Sequence, residues 1–315
     1  MDDARAQAPL VALTGSTGFI GQQLQRQLLA DGFGVRALVR PGSPHVSRLD
    51  PSSESVYVRL DDPPGLRKAL CDVSAVVYCA GSVRGRTPED FAAANVDGVR
   101  HLAAVLSDLD PSPPILLVSS LAASRPEISD YAASKALGER ALRGHQDLAW
   151  TILRPPAVYG PGDKEMKPIL AWLRRGFAFV PGPAGQRLSL LHVEDLAAAV
   201  VAWLRSGSDC RHQVYAIDDG RPGGYDWSEM ADAVGGSRVR QLRVPTGLLG
   251  WAARVNVGAS KLLGYAPMLT PGKVRELIQP SWVGDNTAFT RATGWTPSIG
   301  LADGAERMFA TVRDG

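Results

Sequence analysis

Through the first half of the chain, short apolar and β-branched runs alternate with longer stretches whose apolar residues recur every three or four positions. The runs at 10–14, 35–40, 56–60, 75–80, 115–119 and 150–154 predict strands. Residues 19–30, 65–70, 89–106 and 131–143 predict the helices between them, with Ile20, Leu24 and Leu28 on one face of the first. Strands separated by helices argue for an α/β fold, a doubly wound parallel sheet covered on both faces. The fourth run is largely apolar, as suits a strand buried on both sides.

Beyond Arg154 the pattern breaks into short elements punctuated by Pro155-Pro156, Pro161-Gly162, Pro181-Gly182-Pro183 and Pro222-Gly223-Gly224. A helix over 193–205, preceded by an apolar run at 188–191, is placed to return to the sheet. We read residues 1–154 as a dinucleotide-binding core. Residues 155–315 form mostly a smaller C-terminal substrate lobe, with about 188–218 returning to the core. No internal repeat is evident.

Composition narrows the class. With 45% hydrophobic and 21% charged residues the chain is globular, not disordered. A net charge of +2 is too small to imply nucleic acid or an anionic membrane as a partner. The three cysteines, Cys71, Cys79 and Cys210, lack metal-ligand spacing, so free thiols, a reducing compartment and no metal are expected. The N-terminus does not read as a signal peptide, and the apolar helix candidate around 196–204 is too short to span a bilayer. The expected location is cytoplasmic.

The first strand runs into Thr14-Gly15-Ser-Thr-Gly18-Phe-Ile-Gly21. Glycines at a strand-to-helix junction allow a tight turn, close approach to a pyrophosphate and close helix packing, with the helix N-terminus facing the anion. The spacing is GxxGxxG, not GxGxxG. Gly15, Thr17, Gly18, Phe19 and Ile20 are therefore candidate cofactor contacts. The second strand ends in Arg40, where an acidic residue would bind both ribose hydroxyls and repel a 2′-phosphate. An arginine there can grip that phosphate, so NADP(H) is favoured and NAD(H) remains possible.

Of the seven tyrosines only Tyr131 is followed four residues later by a lysine, Lys135. On a helix the two share a face, and an ammonium beside a phenol would draw its pKa down from about 10 toward neutrality. Ser119-Ser120 closes the preceding strand, and ligands of open α/β sheets collect outside the strands' carboxyl ends. Ser120, Tyr131 and Lys135 are the candidate catalytic residues.

Together these motifs carry a resemblance. With Tyr78-Cys-Ala-Gly81, Asn95-Val-Asp-Gly98, Leu153-Arg-Pro-Pro-Ala-Val-Tyr-Gly-Pro161 and Leu191-His-Val-Glu-Asp-Leu196, the chain resembles an extended short-chain dehydrogenase/reductase over almost its whole length. That group comprises Rossmann-type NAD(P)-dependent epimerases, dehydratases and reductases. The resemblance implies Tyr131 as general acid/base, Lys135 on the nicotinamide ribose and Ser120 on the substrate oxygen. It places Pro155 and Val158 along the nicotinamide and Ala80 and Gly81 beside the ribose and phosphates. Relatives often form a homodimer through the two long helices, here 89–106 and 131–143, which this sequence permits without requiring. Where relatives commonly keep Gly-Asp-Leu after the third strand, this chain has Val58-Arg59-Leu60-Asp61. Adenine recognition would then fall to Asp61 or to apolar packing of Leu60. Asn95 is expected to support the site, and His192 to cap or pack.

For the substrate two signals compete. Arg187 stands where nucleotide-sugar relatives often hold a diphosphate, although a salt bridge to the lobe is equally open to it. The apolar stretch from Val244 through Leu262 to Lys273 is similar to the 3β-hydroxysteroid dehydrogenase and dihydroflavonol reductase branch, and apolar walls suit a hydrophobic substrate. Ser82 and Val83 are further candidate substrate contacts. The reading is an NADP(H)-dependent oxidoreductase moving hydride to or from a secondary alcohol or ketone of a lipid-like or polycyclic compound. The alternatives are a nucleotide-sugar epimerase or dehydratase with transient cofactor reduction, and a cofactor-binding protein without chemistry.

Overall fold

The computed structural model describes residues 8–207, 209–235 and 239–310. Six strands carry the first half: β1 (Leu10–Thr14), β2 (Gly34–Val39), β3 (Glu54–Tyr57), β4 (Ala75–Tyr78), β5 (Ile115–Val118) and β6 (Trp150–Arg154). A seventh, Gln213–Ala216, pairs with β6, and every pairing is parallel. The order is Gln213–Ala216, β6, β5, β4, β1, β2, β3. The chain reverses its direction of winding between β1 and β4, which opens a crevice at their carboxyl ends. This is the predicted α/β sheet.

Strand alternation builds two cores. Val11, Leu13, Val77 and Leu116 pack on the side covered by α1 (Phe19–Ala30) and the helix Val193–Arg205. Ala12, Val76, Ile115 and Leu117 face α2 (Pro63–Leu70) and two further helices. Between α2 and those helices lies α3 (Pro88–Ala92), which continues through a π-helical turn, Ala93–Asp97, into α4 (Gly98–Ser107). After β5 follows α5 (Asp130–Arg143). A third apolar cluster, around Tyr159, Leu170, Leu190, Trp227 and Met308, fills the C-terminal part.

Two expectations shift. The third strand lies at 54–57 rather than 56–60, because Arg36 of β2 pairs with the Glu54 carboxylate at 2.9 Å and fixes the register. Arg59, Leu60 and Asp61 consequently fall beyond the strand. The single helix expected over 89–106 is interrupted by the π-helical turn, a feature that recurs at functional sites.

Candidate active site

The glycine turn after β1 is shaped by steric necessity. Gly15 has φ +70°, and a Cβ there would lie 2.7 Å from the Ala80 nitrogen; one on Gly21 would lie 2.1 Å from the Gly15 carbonyl oxygen. The Thr14 hydroxyl accepts hydrogen bonds from the backbone N–H groups of Cys79 (3.1 Å) and Ala80 (3.0 Å). The ends of β1 and β4 are thus clamped on either side of the crevice. Gly18 caps α1 without a side-chain acceptor, and no acidic residue occupies the helix's first turn. The first N–H groups of α1 keep their positive field, which fits a pyrophosphate. Gly15, Thr17, Gly18, Phe19, Ile20, Ala80 and Gly81 all lie on this rim. The residues present fit a dinucleotide.

Arg40 follows β2 directly, is exposed, and makes no side-chain ion pair among the described residues. Farther along the rim, Arg59 grips Asp61 through two hydrogen bonds of 2.8 and 2.7 Å, which holds that carboxyl below its usual range. Asp61 is therefore engaged by its neighbour, while half-buried Leu60 packs against the core beside Tyr78.

Ser120 caps a short turn at the end of β5, and Ser129 caps α5 by accepting the Ala132 N–H at 3.0 Å. Those two caps bring Ser120 beside Tyr131, whose ring also meets Phe91 edge-on at 6.2 Å between centroids. Lys135, buried, donates from Nζ to the Val118 carbonyl at 3.0 Å. A Cβ on Gly81 would lie 3.5 Å from that Nζ. The backbone of Leu121 donates to the Pro155 carbonyl at 2.8 Å, so Pro155 runs alongside Ser120, and Val158 pairs with Leu191 beyond it.

The electrostatics correct one expectation. Tyr131 is not lowered but pushed up to about 12, chiefly by burial, with the Ser120 hydroxyl opposing and the Glu276 carboxylate adding to the rise. The Lys135 amine is pushed down to about 8 by burial, against the pull of Cys79 and Glu139. Desolvation sets both shifts, and Lys135 is not among the groups that move the phenol, so the expected charge–phenol attraction plays no part in its shift.

Asn95 organises the surroundings. Its side chain bonds the Ser82 N–H (3.0 Å), the Ser82 carbonyl (2.9 Å) and the Ser134 hydroxyl (2.9 Å). Gly138 lets α5 approach this turn: a Cβ there would come within 2.0 Å of the Asn95 carbonyl oxygen. Tyr78 donates its hydroxyl to the Ala94 carbonyl at 2.6 Å, adding a hydrogen bond to its packing role. His192 is fully buried against Tyr159 and caps the helix Val193–Arg205, which leaves it no catalytic reach. Two buried carboxylates went unanticipated. Glu139 accepts from Ser119 at 2.5 Å and is gripped by Arg154. Glu276 accepts from Ser129 and from Lys273.

The substrate candidates separate. Ser82 is tied into the Asn95 network, and Val83 is exposed at the rim. Arg187 donates to Glu229 (2.8 Å) and to the Gly223 (2.8 Å) and Gly224 (2.7 Å) carbonyls, so it makes the lobe salt bridge. The apolar stretch after Val244 also departs from expectation. In the helix Thr246–Leu263 only Ala253 and Ser260 are buried, and Leu248, Trp251, Val255 and Leu262 face outward. These four side chains do not wall a pocket.

Residues 11–217 match the model of the NAD dependent epimerase/dehydratase family. The chain belongs to that family. The family binds NAD(P), and this member is an NAD(P)-dependent oxidoreductase or epimerase of the extended short-chain type, as its motifs suggested. It is 36% identical to a ceramide reductase of Caulobacter vibrioides over 309 residues, covering 96% of this chain and 93% of that protein. A 2-alkyl-3-oxoalkanoate reductase of Stenotrophomonas maltophilia is 26% identical over 336 residues, covering 96% of this chain and 98% of that protein. The solved structure of a Burkholderia cenocepacia protein shares the fold with a TM-score of 0.75 at 23% identity, covering 98% of this chain and all of that one.

Proposed function

We propose that this family member is an NADP(H)-dependent reductase of a ketone on a lipid-like substrate, with Tyr131 as proton donor. The observation that carries the reading is the half-buried Tyr131 phenol, hydrogen-bonded with Ser120 at the carboxyl end of β5, its pKa held at about 12. A phenol that keeps its proton at neutral pH is suited to protonate the far more basic oxyanion formed when a ketone is reduced. Ser120 would orient the carbonyl oxygen. Lys135 would hold the nicotinamide ribose from its position beside Gly81. The glycine turn would bind the pyrophosphate, Arg40 the 2′-phosphate, and Pro155 and Val158 would flank the nicotinamide. The cofactor, when bound, supplies the hydride.

The substrate class draws support from two long matches to reductases, one named for ceramide and one for 2-alkyl-3-oxoalkanoates. The nucleotide-sugar alternative rested on Arg187, whose guanidinium is engaged by Glu229 and two carbonyls. Cofactor turnover tests the reading. Steady net oxidation of NADPH with a long-chain 3-oxoacyl compound is expected. Conversion of a nucleotide sugar without net change in cofactor would favour an epimerase.

A further inference from the structure

The helix Thr246–Leu263 turns its apolar side toward solvent. Leu248 is 56% exposed, Trp251 60%, Val255 50% and Leu262 89%. Spacings of three, four and seven residues place these four on one arc of the helix. The same spacing rule puts Arg254 and Lys261, both exposed, along one border of that arc. The opposite side holds the buried Ala253 and Ser260, whose carbonyl accepts from Arg86 at 3.4 Å, while Asn256 donates to the Leu269 carbonyl at 2.9 Å. The inner side therefore packs on the loop that follows Ser82 and on the segment leading to Pro271–Leu277.

Charge completes the pattern. From Arg240 to Arg275 the chain carries Arg240, Arg243, Arg254, Lys261, Lys273 and Arg275 and no aspartate or glutamate. The whole chain has a net charge of only +2, so this segment concentrates positive charge that the net negative remainder offsets only in part. Arg240, Arg243, Arg254 and Lys261 are exposed and make no ion pairs among the described residues.

We propose that this face is a docking surface for an anionic lipid bilayer. An exposed apolar arc bordered by cations is the pattern of a helix lying in the membrane interface, and tryptophan favours the headgroup level. Each Lys or Arg held near an anionic leaflet strengthens binding roughly fivefold. No helix among the described residues is long and apolar enough to cross a membrane, so the helix would lie on the bilayer. A second copy of the chain fits poorly, because a two-fold contact would set the cations against themselves with no acid to meet them. The inference goes beyond the proposed reduction and does not depend on it. Its consequence is that the outer side of the helix that packs on the loop after Ser82 would face lipid.

Co-sedimentation of the full chain with phosphatidylcholine vesicles, with and without phosphatidylglycerol, tests the proposal in the absence of any ketone. Preferential binding to the anionic vesicles is expected. Trp251→Ser combined with Leu262→Ser should weaken it at least about tenfold, while NADPH binding and the thermal midpoint stay unchanged, since the side chains are exposed. Arg254→Glu with Lys261→Glu provides an independent readout and should lose the anionic preference. Failure of the wild type to sediment with anionic vesicles would overturn the proposal. So would variants that bind as the wild type does, or a dimer in solution that both variants dissolve.

Discussion

The Ser129 hydroxyl donates a hydrogen bond to the buried carboxylate of Glu276, a residue 147 positions further along the chain. The same hydroxyl accepts the Ala132 N–H at 3.0 Å and so caps the helix that carries Tyr131. Glu276 thereby couples the C-terminal segment to the placement of the phenol and, as a negative charge near it, disfavours the phenolate.

Glu276→Gln preserves a hydrogen-bond acceptor and removes the charge. Because Glu276 raises the Tyr131 pKa, its neutralisation should lower it. In the alcohol-oxidising direction, where phenolate is the base, the rising limb of the pH–rate profile should move to lower pH. An unmoved limb would show that the carboxylate acts only through the helix cap.

Lys135 should set the alkaline limit of ketone reduction. Tyr131 stays protonated to about pH 12, whereas Lys135, lowered by burial to about 8, loses its charge first. The reductive kcat/KM should fall above an apparent pKa near 8. Lys135→Met should abolish that limb along with most activity. A wild-type profile flat through pH 10, about two units beyond the Lys135 value, would remove the lysine's charge from the rate law.

Arg40→Ala should weaken NADPH binding roughly tenfold or more, the scale of a lost charge-assisted hydrogen bond, and leave NADH binding nearly unchanged. Titration of both cofactors by fluorescence decides it. Equal losses would mean that Arg40 does not read the 2′-phosphate.

Gly138→Ala should destabilise the fold by about 1–3 kcal/mol, as overpacking does. The added Cβ would press to within 2.0 Å of the Asn95 carbonyl oxygen and so disturb the Asn95–Ser82 contacts as well. Urea midpoints measure the effect. A variant as stable as the wild type would show that α5 and the π-helical turn separate at little cost.

Much of this was legible in the chain because local rules governed it. The first and sixth strands, α1 and the helix Val193–Arg205 lie where period and punctuation placed them, since each buries a continuous apolar set. The third strand starts two residues and ends three residues before its expected place, in a register that sets Glu54 opposite Arg36, a partner 18 positions away that no local pattern reveals. Glu276 and Glu139 were invisible for the same reason: their significance comes from partners distant in the chain or across the sheet. Spacing shows a lysine on the same helix face but not the burial that sets the phenol's shift, to which that lysine does not contribute. The apolar helix after Val244 was recognised as apolar, yet hydropathy alone does not say which side faces in.

The role proposed for Tyr131 is to donate the proton in a net reduction. It is tested most directly by following reduced-nicotinamide absorbance with a long-chain 3-oxoacyl ketone in the wild type and in Tyr131→Phe. Steady NADPH consumption by the wild type is expected, with a loss of at least about 100-fold in the variant, within the range for a general acid, and NADPH affinity retained. Unchanged turnover in Tyr131→Phe would contradict it.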